Sequence, residues 1–518
     1  MKSLSISKLS VVFCLFAMFA IVSGCDKAID FTEQLKPLTP ASDDANAGTW
    51  KPVVMTSVSQ IAVPVPADIT TDAYKAELAA VKDAQSKLTS ERRKAIEYWS
   101  GGGILRWNQI LRELVARYNL PPAPASDGTY PTPDAENPFA DPGFPFANPP
   151  YAARAYSYVT VAQSDALKAC WYYKYQYNRP APYVTDSGIK SLMTASQLPS
   201  YPSEEAVMSG VTAELLKALF PAAVQEITMK AAEQRNAALW SGKATSSDIA
   251  AGLALGKSIA ALFTARAAGD GMRNAIGNKT LWKGLEDNAT SRGEIPWKSL
   301  DLPARPPMLP FFGQVKSWNM TPAQVVAERP VPPPSTSSAE MKSEVDEVKY
   351  FSTHLTRERL KIVHKWADGG GTYTPPGHWN DIAEEYIRDA NMSEVRAART
   401  FALLNMALHD AAVGCWESKY FYFNPRPTQL DPSIKTGTGI PNFPSYTSGH
   451  STFSGAAATI LSYLFPSGTT YFNQEANEAS LSRLYGGIHY RIDTTNGLDH
   501  GNRIGGYTVL WAQGDGAN

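Results

Sequence analysis

The chain is poor in cysteine, carries almost no net charge, and has no histidine before His354. Of its four cysteines, Cys14 and Cys25 fall in or at the end of an apolar leader, which leaves Cys170 and Cys415. Two cysteines cannot staple an exported protein of this length, so a packed core must hold the fold. Both lie in apolar, helix-like runs and read as buried free thiols. No Cys or His spacing resembles a zinc site. A formal net charge of -1 gives no reason to expect a polyanionic partner, so no nucleic acid is expected. Strand-like alternation is scarce, and the chain reads as all-α.

What is present begins with the leader. Lys2 and Lys8 precede an apolar run from Leu9 to Val22, followed by Val22-Ser-Gly-Cys25. The run is short for a membrane span of roughly 20 residues and has the layout of a secretory signal. Its ending resembles a bacterial lipoprotein signal. The expectation is a signal peptide over 1–24, lipid on Cys25, and an extracytoplasmic protein anchored to a membrane. Residues 25–70 are polar and Pro-rich and read as a tether.

Helical periodicity begins near Thr71 and defines a first bundle over 71–275. A Pro-rich linker over 276–340 precedes a second bundle over 341–518. The halves repeat. Asp165 to Tyr175, with Cys170, Trp171 and Lys174, recurs as Asp410 to Tyr420, with Cys415, Trp416 and Lys419. Pro199-Ser-Tyr-Pro-Ser203 recurs as Pro444-Ser-Tyr-Thr-Ser448, again 245 residues on, as from Asp165 to Asp410. Upstream, Glu91 to Gly103 resembles Glu358 to Gly371 at a changed offset. A constant offset over separated islands implies an internal duplication and two similar helical bundles.

The second copy alone carries three islands rich in reactive side chains. In the first, Lys419 and Arg426 are seven residues apart, and Pro425 puts Arg426 just past a helix end. In the second, Ser448-Gly449-His450 opens a Ser/Ala/Thr-rich helix, where free N–H groups favour an anion and Gly449 allows close approach. In the third, Arg483 and His489 flank Gly486 and Gly487, which interrupt the helix and let His489 turn back. Three cations, a Ser-Gly helix start and two histidines suit a tetrahedral oxyanion. Each island alone has a plainer reading: a solvated helix end, an N-cap, a core histidine.

Together the islands resemble the signature shared by vanadium-dependent haloperoxidases, bacterial class A acid phosphatases and type 2 phosphatidic acid phosphatases. That signature is Lys-x6-Arg-Pro, Pro-Ser-Gly-His and Ser-Arg-x5-His-x3-Asp. The first and third match in full, through Ser482 and Asp493; in the second, Thr447 replaces the usual proline. The resemblance implies that Lys419, Arg426 and Arg483 neutralise an oxyanion, with Ser448 and the Gly449 amide donating to it. It implies His489 as nucleophile toward phosphorus or as the vanadium ligand, and His450 as the acid–base group. Asp368 falls where haloperoxidases place a carboxylate that pairs with the site's His and Arg, which would favour a charged histidine. It further implies a chloroperoxidase-like double bundle with its active site in the C-terminal half. In the first copy Glu204 and Glu205 replace Gly449 and His450, Ala238 replaces Arg483 and Ala244 replaces His489, while Lys174 and Arg179 read as retained. The first bundle is therefore expected to be scaffold.

The anion cage does not say which anion it holds. Trp416 and Phe443 match aromatic positions on the halide and peroxide side of fungal-type haloperoxidases, although core packing explains them too. The expectation is a vanadate cofactor with hydrogen peroxide and halide as substrates. The alternative is an acid phosphatase that needs no cofactor and hydrolyses phosphomonoesters through a phosphohistidine. A third reading, a helical ligand-capture lipoprotein of the starch-binding receptor type, leaves the ordered islands unexplained.

Overall fold

The computed structural model describes residues 34–130 and 145–517; the expected leader and Cys25 lie outside the described residues. Among the described residues every regular element is a helix. In the first half these are α1 (Asp72–Ser86), α2 (Ser90–Ser100), α3 (Gly103–Tyr118), α4 (Pro149–Tyr177), α5 (Glu204–Leu219), α6 (Val224–Trp240) and α7 (Ser246–Ala268). The second half has α8 (Ala339–Thr353), α9 (Arg357–Lys365), α10 (Thr374–Asp389), α11 (Glu394–Tyr422), α12 (Gly449–Leu464), α13 (Thr469–Tyr485) and α14 (Arg491–Gln513). The boundaries of α4 to α7 recur without slippage in α11 to α14, at the offset that links Asp165 to Asp410.

Sequence signals set these limits. Asn148 and Ser393 cap α4 and α11 through their side chains, and the left-handed Asn178 (φ 48°) and Phe423 (φ 56°) end them. The long helices α4 and α11 pack against each other at the centre. In each half the last helix crosses the one that starts at the Ser turn. On α14, a Cβ at Gly501 would lie 2.1 Å from the Thr452 carbonyl oxygen, and one at Gly497 3.0 Å from that of Ser448. Only glycine permits that crossing, which fixes the start of α12 against α14.

Two expectations about the connecting segments are corrected. From Gln34 on, the expected tether is a packed arm: Trp171 Nε1 donates to Asp43 O at 2.8 Å, and Asp165 accepts from the N–H groups of Val53 and Val54. The expected linker does the same in the second half. There Trp416 Nε1 donates to Met308 O at 3.1 Å, and Asp410 accepts from the N–H groups of Trp318 and Asn319. The duplicated Asp and Trp were thus retained to dock an arm in each half. The linker also contains helices at Lys279–Ser291 and Pro322–Ala327.

Candidate active site

The three islands meet at the buried junction of α11, α12 and α13. Lys419 lies in the last turn of α11 and is fully buried. Its ammonium donates to Pro444 O at 2.9 Å, to Ser445 O at 2.8 Å and to Thr447 O. Arg426 stands in extended backbone beyond that helix, as its flanking prolines require. Its Nε donates to Phe443 O at 2.9 Å and its Nη1 to Ile488 O at 2.8 Å. Arg483, near the end of α13, donates through Nη1 to Trp366 O at 3.0 Å. Arg426 Nη2 and Arg483 Nε and Nη2 are buried without a partner.

His489 sits in the turn between α13 and α14, after Gly486 and the left-handed Gly487 (φ 74°). Its Nδ1 lies 2.8 Å from Asp493 Oδ2, and its Nε2 lies 2.9 Å from Arg426 Nη1. A guanidinium can only donate, so Nε2 accepts and the Nδ1 proton faces the carboxylate. The ring is neutral, and burial followed by the Arg426 charge pushes its pKa well below the ordinary value. Ser445, which lies outside the signature residues, donates to the same Asp493 oxygen. It is the first serine of the Pro444-Ser-Tyr-Thr-Ser448 island, which is the available signal.

Ser448 caps α12 by accepting from Ser451 N, which leaves its own hydroxyl proton free to donate. Thr447 does not disturb this start: the N-cap dihedrals are φ -66°, ψ 124° at Ser448 and φ -65°, ψ 124° at Ser203 after proline. Both ring nitrogens of His450 face Arg483 Nη1, Nε2 at 2.9 Å and Nδ1 at 3.2 Å; the guanidinium can only donate, so one of them accepts and this ring too is neutral. This corrects the expectation of a charged histidine. Burial, and then Arg483 and His378, hold the His450 pKa well below its usual range. Asp368, at φ 42°, keeps Oδ2 3.7 Å from His450 Nε2. Its nearer partner is His378, whose Nδ1 is 3.2 Å from that oxygen. Nothing in the sequence flagged His378, which is far from the islands. The side chains of His378 and His450, 14% and 15% exposed, mark the open side of the site, since His489 and Lys419 are buried.

Phe443 roofs the cations, with its ring 4.9 Å from Lys419 Nζ and 5.0 Å from Arg426 Cζ. Trp416 lies behind it with ring centroids 5.0 Å apart at a 53° tilt, and is fully buried. The cations have too little negative charge around them. Burial lowers Lys419 to about 7 and both Arg426 and Arg483 to about 10, and raises Asp493 to about 7. Unpaired buried donors amid unbalanced positive charge are the complement of an oxyanion.

The first half shows the opposite arrangement. Lys174 Nζ lies 2.7 Å from Glu204 Oε2, and Lys243 bridges Glu204 and Glu205. The chain's own carboxylates fill the place. Arg179 is not retained in register: at the repeat offset it faces Asn424, and Ala181 faces Arg426. It still reaches Asp248, the counterpart of Asp493, at 3.5 Å.

Comparison with known proteins agrees with this geometry. Residues 399–516 match the family model of the PAP2 superfamily, so the chain carries a PAP2 superfamily domain. That span contains every cage residue from Lys419 to Asp493, and excludes Asp368 and His378. The fold is that of bacterial vanadium haloperoxidases. The structure described as the first bacterial vanadium-dependent iodoperoxidase superposes with a TM-score of 0.54 at 23% identity, over 70% of this chain and 90% of that one. An apo-type bacterial vanadium-dependent chloroperoxidase gives 0.51 at 15% identity, over 72% and 95%. The holo-type gives 0.51 at 14%, over 74% and 96%. Comparison with curated proteins gives no match.

Proposed function

We propose that this protein is a vanadate-dependent haloperoxidase that oxidises halide with hydrogen peroxide. The observation that carries the reading is His489: a neutral, oriented imidazole set among three buried cations whose unpaired donors fit a tetrahedral oxyanion. Lys419, Arg426 and Arg483 would hold vanadate together with the Ser448 hydroxyl and the Gly449 N–H, with His489 Nε2 as its ligand. When bound, vanadate supplies the Lewis acidity that activates peroxide toward halide. The residues do the rest. Arg426 releases Nε2 when it turns toward the anion, and Asp493 keeps the Nδ1 proton in place. His450, on the open side, takes or gives the proton on the peroxide side. Trp416 and Phe443 exclude water from that face.

The double-bundle relatives and the aromatic roof favour the peroxidase over a phosphatase. The cage itself suits phosphate equally, with His489 attacking phosphorus and His450 protonating the leaving oxygen. In either case we infer an extracytoplasmic enzyme held to a bacterial membrane through Cys25.

The deciding experiment pairs the wild type with His489→Ala. Each is assayed for bromination of a dimedone-type acceptor with vanadate and peroxide, and for p-nitrophenyl phosphate hydrolysis without vanadate. Halogenation that requires vanadate and His489 is the expected result. Hydrolysis that vanadate inhibits and His489→Ala abolishes would make the protein a phosphatase.

A further inference from the structure

Ser445 belongs to none of the three signature motifs, yet it ties the loop before α12 to both other islands. Its N–H donates to Asn424 O at 3.0 Å, two residues before Arg426. Its carbonyl oxygen accepts from Lys419 Nζ at 2.8 Å. Its hydroxyl donates to Asp493 Oδ2 and lies 3.3 Å from His489 Nδ1, and the residue is fully buried.

The first half shows which of these bonds the fold needs and which it does not. At the repeat offset Ser200 corresponds to Ser445, Arg179 to Asn424, Pro180 to Pro425, Thr245 to Tyr490 and Asp248 to Asp493. Ser200 N–H donates to Arg179 O at 2.8 Å, so the backbone tie is common to both halves. The carboxylates are alike too. Each caps the last helix of its half: Thr245 N donates to Asp248 Oδ2 at 2.7 Å, and Tyr490 N to Asp493 Oδ2 at 3.2 Å. Each Oδ2 also receives a hydroxyl, and here the halves differ. Asp248 takes it from Thr245 at 2.9 Å, while Ser200 turns its own hydroxyl to Pro180 O at 3.2 Å. In the second half Tyr490 sends its hydroxyl to Pro425 O at 3.1 Å, which occupies that carbonyl and leaves Ser445 to serve Asp493. The change accompanies the histidine: Ala244 stands where the second half has His489.

We propose that Ser445 is a positioning residue, whose hydroxyl fixes the Asp493 carboxylate and through it the His489 ring relative to the cations. This rests on the role given to His489 above. Asp493 Oδ1 has no partner, so the donors on Oδ2 alone set the carboxylate. Two of them, the Tyr490 N–H and His489 itself, belong to the turn that is to be positioned. The Ser448 N–H donates to Asp493 O at 3.0 Å, as Ser203 N does to Asp248 O, and holds the backbone there but not the side chain. Only the Ser445 hydroxyl joins the carboxylate to a residue that also holds Lys419 and the segment of Arg426.

The test uses the full chain with Ser445→Ala, which keeps both backbone ties, Ser445→Thr, which restores a hydroxyl, and Ser200→Ala for comparison. Orthovanadate and inorganic phosphate are titrated calorimetrically, and the His489 Nδ1–H resonance is followed by NMR in histidine-labelled protein. Ser445→Ala should weaken oxyanion binding about tenfold and shift the Nδ1–H signal, and Ser445→Thr should restore most of both. Ser200→Ala should alter neither. With His489 already alanine, Ser445→Ala should cost little further affinity, because the two residues act as one unit. Additive losses in that cycle, or unchanged affinity and resonance in folded Ser445→Ala, would overturn the proposal. Should Ser445→Ala not fold, Ser445→Cys keeps the volume with only a weak donor and must show the same losses. If the wild type binds neither oxyanion, the functional reading fails, while the Nδ1–H resonance and its recovery in Ser445→Thr still decide this one.

Discussion

Asp493→Asn separates two ways in which a carboxylate can serve His489. Three donors converge on Asp493 Oδ2: His489 Nδ1 at 2.8 Å, Tyr490 N at 3.2 Å and Ser445 Oγ; Oδ1 has no partner. An asparagine has one accepting oxygen, and that oxygen must take the Oδ2 position, because an NH2 there would face the Tyr490 N–H. His489 then keeps its Nδ1 proton, and only the negative charge is lost. Burial raises the Asp493 pKa, while the Ser445 hydrogen bond and the Lys419 charge oppose that rise. Losing an orienting outer partner of this kind lowers ligand affinity by about 10–100-fold, roughly 1.4–2.7 kcal/mol. Orthovanadate titrated calorimetrically into wild type and variant at pH 7 measures it directly. A loss near 10⁴-fold, far beyond that of an outer partner, would refute the orientation given to the amide. A loss below about threefold would mean that Asp493 only packs the turn.

Glu204→Ala strips the paired carboxylate from the buried Lys174, while Lys243 keeps Glu205, and should destabilise the protein by about 3–5 kcal/mol in urea melts. Arg483→Met removes a cation with no carboxylate partner, and should change stability by less than about 1 kcal/mol while abolishing oxyanion binding; equal costs would sink the contrast between the halves. Asn119→Ala removes the Nδ2 donations to Gly369 O at 2.9 Å and Thr372 O at 3.1 Å. It frees the loop carrying Asp368 and should lower turnover with only about 1–2 kcal/mol of destabilisation, so unchanged kinetics would count against it. His409 and His500 are buried, and burial holds both at about 3. Each is depressed below its unfolded value, so its contribution is fully present above pH 6.5 and is lost as pH falls toward 3. His500→Leu should flatten the acid limb of a stability–pH curve by about 1.4 kcal/mol per pH unit, and parallel curves would exclude the effect.

The sequence was legible where chemistry is local and ordered. Lys419, Arg426, Ser448, Gly449, His450, Arg483 and His489 sit in short motifs whose spacing encodes a helix end, a helix start and a broken turn. The repeat was legible for a similar reason, because a duplicated helix keeps its length and its caps. What was hidden depends on contact through space. Asn119 and His378 are far in sequence from the residues they serve. The arms looked like linkers because proline and polar composition describes a segment that does not form long helices, whether it is free or packed. Arg179 misled because an Arg-Pro pair can shift by two residues and still reach the same acid from a neighbouring position.

The halves share a backbone plan and differ in what satisfies their buried cations. In the first, Glu204 follows Ser203 and meets Lys174, so the charge is balanced by the chain itself and nothing is left to bind. In the second, Gly449 takes the corresponding place and removes that carboxylate; Lys419 is left with carbonyl oxygens alone, and its pKa falls to about 7. Such a centre is unfavourable by itself, and other contacts must hold it together. The glycine crossing of α12 on α14 fixes one wall, and the arm held by Trp416 and Asp410 braces the helix that carries Lys419. From the first half, Asn119 pins the loop of Asp368, and Tyr156 donates to Tyr373 O at 3.2 Å beside it. The copy with the self-neutralised core therefore does more than fill space: it holds the loop of Asp368 against the half whose buried cations lack carboxylate partners.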